Sequence, residues 1–253
     1  MSTGQDFIGI IPARYDSSRF PGKPLANIMG RPMFWHVYTR AVKCRLLNNV
    51  FLATDHDLIF NAARNLNVPV IMTSSEHQSG TDRVLEAAGN VNAARDSVIV
   101  NIQGDEPLLE PKMLDQLLTP FVSAAEVNVS TLARPIPRDE ALSRNVVKVV
   151  FSESGRALYF SRSIIPWSEQ GAICHAHIGI YAFRMKYLEK FSALKQSGLE
   201  KAEKLEQLRL LEADIPISVV VTSHISHGVD TPEDIINVTK IMREQNNESN
   251  ISP

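Results

Sequence analysis

The sequence has little cysteine and no long apolar run. Its 253 residues include two cysteines, Cys44 and Cys174, which are too few for a disulfide framework or a structural zinc site. The N-terminus MSTGQDFIGIIPAR has no basic start and only a short apolar run, unlike a signal peptide. The longest apolar stretches are far below the ~18 residues of a membrane span. We therefore expect a cytoplasmic protein with reduced thiols and no membrane partner.

An excess of charge of one sign is also missing. The formal net charge is -2 and the pI is near 6.4, whereas a surface for nucleic acid shows as a basic excess. We therefore expect no nucleic-acid partner, and any anion site has to be a local cluster of cations. The glycine fingerprints GxGxxG and GxxxxGK[ST] are both absent, which disfavours a dinucleotide-dependent dehydrogenase and a Walker A loop.

The first half of the chain alternates strand and helix patterns. Short apolar runs typical of buried strands occupy 7–11, 50–53, 68–72 and 98–102, and helix-like spacing occupies 33–42, 57–66 and 111–122. The pattern predicts an α/β fold with a mostly parallel sheet flanked by helices. Strand patterns without intervening helices follow and predict a smaller mixed β insertion. Helices are then expected at 200–212 and, after a Thr231 N-cap, at 231–243.

The segment IIPARYDSSRFPGKPL, residues 10–25, concentrates positive charge. A buried strand stops at Pro12 and leads into a loop that carries Arg14, Arg19 and Lys23. Three cations brought close together need a compensating anion, and a triphosphate suits two arginine forks and a lysine point charge. Gly22 would let the backbone approach such a ligand closely. The alternative is a solvated basic loop.

Two aspartates follow strand-like segments in different halves of the chain. Asp105 lies in NIQGDEPLL, residues 101–109, and Asp230 lies in GVDTPED, residues 228–234. Ligands of parallel sheets bind beyond the carboxyl ends of the strands, and Mg²⁺ prefers oxygen ligands and bridges to substrate phosphates. We therefore expect the two carboxylates to converge on a cation, although each alone is also typical of a turn or a helix N-terminus.

Seven motifs occur in one order: IIPAR…SSRFPGKPL, SGTDR, NIQGDEPL, LYFSRSIIP, HIGIYAFR, EKLEQLR and GVDTPED. Together they resemble the 3-deoxy-manno-octulosonate (Kdo) cytidylyltransferases, over about residues 7–240. The resemblance implies a nucleotide-diphospho-sugar transferase type of α/β fold, a homodimer, CTP as a substrate and Mg²⁺ as the cofactor. It implies a nucleotidyltransferase that moves CMP from CTP to the anomeric hydroxyl of Kdo, for lipopolysaccharide precursor synthesis. We expect one α/β domain over 1–253, with a nucleotide-binding half at about 1–125, a sugar-binding and dimerisation part at about 126–228, and a closing helix and tail at 229–253.

The resemblance also implies roles for individual residues. Arg14, Arg19 and Lys23 resemble the triphosphate grip, and Asp105 and Asp230 the metal ligands, with Arg14, Lys23, Asp105 and Asp230 as the catalytic set. Further residues expected at the nucleotide are Pro12, Ala13, Ser79, Gly80, Thr81, Arg83 and Gly104. Residues expected at the acidic sugar are Arg83, Gln103, Arg162, His177, Tyr181, Glu206 and Gln207, and Arg162 or Arg83 would pair with the sugar carboxylate.

The chain departs from the family pattern just before HIGIYAFR. Ala176 stands where the family usually carries a basic residue, His175 comes one position earlier, and the segment from Trp167 to His175 is short. The substrate therefore stays open between Kdo, its 8-amino analogue and a nonulosonate. An alternative of another class is a CTP-binding regulator without catalysis, which fits poorly with both metal aspartates being present.

Overall fold

The computed structural model describes residues 5–16, 20–77, 79–124, 126–169, 171–225 and 227–251. In these ranges the strands are β1 (Phe7–Ala13), β2 (Asn27–Ile28), β3 (Arg31–Pro32), β4 (Asn49–Thr54), β5 (Val70–Met72), β6 (Val98–Asn101), β7 (Val129–Ile136), β8 (Lys148–Phe151), β9 (Ala157–Ser161), β10 (Cys174–Arg184) and β11 (Ser218–Val221). The helices are α1 (Met33–Ala41), α2 (Asp57–Asn65), α3 (Gly80–Asn90), α4 (Pro111–Ser123), α5 (Arg138–Ala141), α6 (Met185–Ala193), α7 (Gly198–Glu203), α8 (Leu208–Glu212) and α9 (Pro232–Ile251). The expected fold class is confirmed: a mixed α/β fold with a mostly parallel central sheet flanked by helices.

The chain divides into two structural units that interleave along the sequence. The N-terminal unit comprises Ile8–Ala93, Asn101–Pro111 and Ser226–Pro253, and the central unit comprises Met1–Phe7, Ala94–Val100 and Lys112–Ile225. The single domain expected from the sequence, with parts divided near 125 and 228, stays a prediction. The segment that carries Asp230 groups with the N-terminal unit. Among the described residues, no helix has both the length and the apolar character needed to cross a bilayer.

The N-terminal unit is built on parallel strands in the order β1, β4, β5. Ile10 pairs with Phe51, and Leu52 pairs with Val70. Ile10 and Leu52 are fully buried, as expected of strands in a parallel sheet, where both faces are covered. Because β1 and β4 run in the same direction, the loops that follow Ala13 and Thr54 leave the same edge of the sheet.

A buried apolar cluster within the N-terminal unit joins the end of the chain to its beginning. Its members come from β2, α1, the loop after β6, the loop before α9, and α9: Ile28, Met33, Leu108, Val229, Val238 and Met242. Phe20, Ile235 and Ile241 pack against it at its edge. Burying each of these large side chains stabilises the fold by about 1.5–3 kcal/mol relative to exposure. The cluster therefore holds α9, and the loop just before it, against α1 and the loop before β2.

The central unit contains the mixed β region that the sequence predicts. Its strand order is β11, β7, β10, β6, and β8 pairs with both β10 and β9. β7 runs parallel to β11 and antiparallel to β10. The β7–β10 register shifts between Ile178 and Tyr181, and such a bulge re-aims the neighbouring side chains.

The prediction of a single helix over 200–212 is wrong, because two short helices, α7 and α8, occupy this segment. α7 begins with a capping box between Ser197 and Glu200 and ends at Lys204, whose φ is +56°. Glu200 accepts two hydrogen bonds from Arg209, at 2.8 and 2.6 Å. Residues nine apart in one helix are separated by about 13.5 Å along its axis, so this buried ion pair requires the break.

Candidate functional site

Lys23 is placed by the turn that follows β1. Gly22 adopts φ +69°, and it precedes a 3₁₀ helix, Lys23–Leu25. The Gly22 amide donates to the carbonyl of Tyr15 at 2.8 Å, which closes the loop between them. A residue with a Cβ atom is strained at this φ. The glycine therefore lets the chain turn back so that Lys23 lies near the end of β1.

The Lys23 ammonium group joins three separate segments of the N-terminal unit. Its Nζ atom donates to Asp105 Oδ2 at 2.7 Å and to the Val229 carbonyl at 2.9 Å, and it lies 3.6 Å from Asp230 Oδ1. The Lys23 side chain is 15 % exposed, against 33 % for Asp105 and 53 % for Asp230. The two carboxylate side chains thus lie beside one cation and are both partly exposed.

Backbone contacts fix the positions of both aspartates. A Cβ atom on Gly104 would lie 2.6 Å from the Pro12 carbonyl oxygen, so only glycine lets the loop of Asp105 pass this close to β1. The Val229 amide donates to the Asp105 carbonyl at 2.8 Å. Next to it, the Asp234 carboxylate accepts from the amides of Asp230 and Thr231, and these bonds lower the pKa of Asp234. The site is therefore held by the main chain.

The other residues expected at the nucleotide lie around the same edge of the unit. Pro12 and Ala13 end β1, and Arg14 follows them as an exposed residue. Gly80 faces Pro12, since its Cβ position would lie 3.6 Å from the proline Cγ. Arg19 lies outside the described residues. The structure thus brings Pro12, Gly80, Gly104, Lys23, Asp105 and Asp230 into one region.

The SGTDR motif forms the start of α3. Ser79 is the N-cap, and its hydroxyl accepts from the Asp82 amide at 3.1 Å. The backbone N–H groups of the first turn of α3, including those of Gly80 and Thr81, form the positive end of the helix dipole. This end of a helix favours anions.

Arg83 has a structural environment that differs from the expectation for it. Its side chain is completely buried and donates to the Asp55 carboxylate at 2.6 Å and to the Ser74 carbonyl at 3.3 Å. The guanidinium has no solvent-exposed surface in this pair, and the expected contacts of Arg83 with the nucleotide and the sugar carboxylate stay predictions. Asp55 is the partner of Arg83, and the next residue, His56, is the N-cap of α2.

The donor set around Lys23 fits a hard divalent cation. Carboxylate oxygens are the ligands that Mg²⁺ prefers, and it commonly uses one or two of them together with water and substrate phosphates. Asp105 and Asp230 already surround a cationic atom in this structure, the ammonium nitrogen of Lys23. Within the described ranges, no group of three or more His, Cys, Asp or Glu residues could hold a metal, so a complete all-protein cage is not formed there.

A second polar cluster lies in the central unit around His177. Its Nε2 atom lies 3.0 Å from the hydroxyl of Thr131, and its ring contacts Phe160 with 4.9 Å between the ring centroids. Burial lowers the pKa of His177 to about 3, so its ring is neutral at physiological pH. Burial also raises the pKa of Tyr181, whose ring centroid lies 5.4 Å from that of His177.

Three buried side-chain atoms among the described residues of the central unit have no hydrogen bond of good geometry. They are Gln116 Oε1, the Tyr181 hydroxyl and Gln207 Nε2. Leaving a buried donor unsatisfied costs about 1–3 kcal/mol, so such atoms mark places where a polar ligand would bind. The adjacent Glu206 is exposed and close enough to Tyr181 to raise its pKa. The predicted sugar residues thus include atoms that need a partner.

The remaining predicted sugar residues differ in their surroundings. Arg162 donates to the carbonyls of Glu203 at 2.9 Å and Arg144 at 3.1 Å, and it remains partly exposed. Its guanidinium has further N–H groups beyond those two bonds. Gln103 is half-buried in the N-terminal unit, next to Gly104. Gln103 and Arg83 therefore belong to the N-terminal unit, and the other members of the set belong to the central unit.

Sequence reasoning missed Thr131, Lys148 and His56. Thr131 and Lys148 lie within strand patterns, and Lys148 is buried with its ammonium donating to three backbone carbonyls. No local signal marks such residues. Histidine accepts at the N-cap through Nδ1, a role in which Ser, Thr, Asp and Asn are the usual residues.

Comparison with known proteins shows the family of the chain. A family model described as "Cytidylyltransferase" matches residues 8–217. The chain is 57 % identical over 239 residues to the 3-deoxy-manno-octulosonate cytidylyltransferase of Oleidesulfovibrio alaskensis, covering 93 % of this chain and 96 % of the relative. It is 45 % identical to the protein of the same name from Geobacter metallireducens, with 91 % and 95 % coverage.

Solved structures extend this similarity to the fold. CMP:2-keto-3-deoxy-manno-octonic acid synthetase complexed with CTP superimposes with a TM-score of 0.91 at 40 % identity, over 95 % of this chain and 100 % of that one. A putative glucose-1-phosphate thymidylyltransferase from Bacillus anthracis shares the fold alone, with a TM-score of 0.66 at 14 % identity over 94 % and 95 % of the two chains. The chain is a member of the cytidylyltransferase family.

Proposed function

We propose that this chain transfers CMP from CTP to the anomeric hydroxyl of Kdo, giving CMP-Kdo and pyrophosphate, for lipopolysaccharide precursor synthesis. The observation that carries the proposal is the contact of Lys23 with Asp105 and Asp230. A cation and two carboxylates at the edge of a parallel sheet suit phosphoryl chemistry, in which the protein positions groups and offsets charge. The names of the relatives specify the nucleotide and the sugar.

The protein's own role in this reaction is to bind and orient phosphates. Lys23 and Arg14 supply positive charge beside the end of β1, and Arg19 is expected to do the same. The sugar hydroxyl attacks the α-phosphorus of CTP, the bond from that phosphorus to the bridging oxygen breaks, and pyrophosphate carries the electron pair away. Cations around the departing group stabilise the charge that it develops.

Magnesium is part of the proposal, with Asp105 and Asp230 as its protein ligands. When bound, Mg²⁺ supplies positive charge that neutralises phosphate oxygens and lowers the pKa of a coordinated hydroxyl. The two carboxylates outweigh the single charge of Lys23, so the cluster keeps a net negative charge for a cation. Their partly exposed oxygens leave room for ligands that are not protein groups.

The acidic sugar is proposed to bind in the central unit beside Tyr181 and Gln207. Their buried, unsatisfied atoms would form hydrogen bonds with sugar hydroxyl groups. The neutral His177 ring would orient the Tyr181 ring by packing against it. Glu206 would accept from a further hydroxyl group. Arg162 is the cation proposed for the sugar carboxylate, because Arg83 is fully buried in its pair with Asp55.

We further propose that the protein is a homodimer and acts in the cytoplasm. Support for a dimer comes from large apolar side chains on the central unit, where Trp167 is 83 % exposed and Ile173 is 68 % exposed. Each of these side chains is one that a second copy of the chain could cover. Support for a reducing compartment comes from Cys44 and Cys174, which are buried free thiols.

The experiment that tests the reaction is pyrophosphate release from CTP with Mg²⁺ and each of four additions: Kdo, its 8-amino analogue, N-acetylneuraminate or no sugar. We expect release that depends on Kdo and stops when EDTA removes the metal. Release with another sugar alone would keep the mechanism and change the substrate. CTP binding without release in any mixture would contradict the enzyme and favour a regulator.

A further inference from the structure

The tip of β4 contacts the loop that carries the phosphate-binding cations. The Tyr15 ring stacks on the His56 ring, with 4.0 Å between centroids and 14° between planes. Tyr15 directly follows Arg14, and its carbonyl accepts from the Gly22 amide at 2.8 Å. The stack therefore holds Tyr15 in place. Tyr15 lies between Arg14 and the Gly22 turn that precedes Lys23.

The His56 ring is itself fixed by hydrogen bonds. Its Nδ1 atom accepts from the Leu58 amide at 3.2 Å as the N-cap of α2, and its backbone amide donates to the Thr54 hydroxyl at 3.3 Å. An imidazole that accepts through Nδ1 carries its proton on Nε2 when neutral. The ring thus offers Tyr15 a face whose position is set by α2 and β4.

The residue before His56 holds a second loop of the same unit. Asp55 accepts from the buried guanidinium of Arg83 on α3 at 2.6 Å. Arg83 also donates to the Ser74 carbonyl, and α3 begins at the Ser79 cap. Two adjacent residues at the end of β4 therefore hold both segments that are proposed to face the nucleotide.

We propose that Tyr15 and His56 form a positioning pair, which sets the place of Arg14 and Lys23 for the triphosphate of CTP without touching the reacting atoms. This inference rests on the proposed function. Aromatic pairs of this kind are worth enough to change binding by about threefold to tenfold. A Cβ atom built on Gly22 would lie 3.4 Å from the Tyr15 ring, so the ring packs directly beside the turn before Lys23.

The test uses variants that separate the stack from other roles of the two residues. Tyr15→Phe keeps the ring, and Tyr15→Ala removes it. His56→Asn keeps an N-cap acceptor for α2 but removes the stacked ring. The dissociation constant of CTP is measured by calorimetry, and steady-state kinetics give the KM for CTP, the KM for Kdo and kcat.

We expect Tyr15→Ala and His56→Asn each to weaken CTP binding by about threefold to tenfold, with kcat at saturating CTP and the KM for Kdo changed less than about twofold. Tyr15→Phe should match wild type, and the double variant should be no weaker than the worse single variant, since both remove one contact. Wild-type affinity for CTP in both ring-deleted variants would overturn the positioning pair and leave the proposed function standing. No CTP binding by the wild-type protein would overturn both.

Discussion

At the residue scale, the Asp105 side chain accepts from Lys23 and is one third exposed. Replacing it with alanine should lower kcat/KM by on the order of 10³-fold, the scale seen when one electrostatic group of an active site is lost. The fold should survive, because Lys23 keeps the Val229 carbonyl as a partner. The measurement is pyrophosphate release at saturating Mg²⁺, with thermal unfolding alongside.

Asp96→Ala is the matched control for Asp105→Ala. The Asp96 side chain is 84 % exposed, and its ion pair with Lys186 is long, at 3.8 Å. This variant should keep wild-type activity. Asp105→Asn, which preserves shape but removes charge, should behave as the alanine variant does. Near-normal turnover by either Asp105 variant would remove this carboxylate from the proposed site.

His177 gives a prediction about stability and pH. Its pKa is about 3 in the folded protein, against 6.5 for an ordinary histidine. As the pH falls below 6.5, the unfolded chain binds a proton before the folded one, so this contribution to stability is complete above pH 6.5 and is lost progressively towards pH 3. Between pH 7.5 and 5, wild type should lose about 2 kcal/mol more than His177→Gln, which has no group titrating there.

Urea unfolding at both pH values checks this difference between the two proteins. Other carboxylates and histidines affect wild type and His177→Gln alike, so the comparison isolates one ring. Equal loss of stability in the two proteins would mean that His177 is protonated in the folded state near its ordinary pKa.

At the element scale, two glycines provide a matched pair. A Cβ atom on Gly104 would collide with the Pro12 carbonyl, whereas one on Gly89, in α3, would meet nothing within 4 Å. Gly104→Ala should lower the free energy of unfolding by about 1–3 kcal/mol and impair activity through Asp105. Gly89→Ala should raise it by about 0.5–1 kcal/mol, because alanine favours helix. Chemical denaturation measures both, and unchanged stability of Gly104→Ala would mean that the loop moves freely from β1.

The regular elements are the part of the fold that the sequence predicts best. Buried strands such as β1 and β4, and helices such as α1 and α4, were expected within one or two residues of their bounds, since periodicity and apolar runs are local signals. The break between α7 and α8 was not, because it depends on the buried pair of Glu200 with Arg209. Such a pair forms only when the chain has folded.

The same limit applies to the candidate site. The convergence of Asp105 and Asp230 was expected, as the motifs and the parallel sheet together point to it, whereas their contact with Lys23 was not. Arg83 was expected to contact substrate. In the structure its buried guanidinium forms an ion pair with Asp55. A motif identifies a residue type and position, but it does not distinguish a side chain that contacts a ligand from one that supports its neighbours.

At the scale of the whole molecule, the proposed dimer predicts a measurable mass. Light scattering after size-exclusion chromatography should give twice the chain mass of 28.1 kDa. Trp167→Glu, at a side chain 83 % exposed on the central unit, should shift the protein towards the monomer, since a charge is costly in an apolar contact. Leu58→Glu, at a side chain 55 % exposed on the N-terminal unit, is the control and should remain dimeric. A wild-type mass of a single chain would contradict the dimer.

The bond from Lys23 to the Val229 carbonyl joins residues 206 positions apart in the sequence. During synthesis by the ribosome, the first loop therefore waits for nearly all of the intervening chain before it can acquire this partner. At about 5–20 residues per second, that delay is on the order of ten seconds or more. Until then the nascent chain has Asp105 as a partner for Lys23 but lacks Asp230, and no truncated product that stops before residue 229 can assemble the charge arrangement of the finished protein.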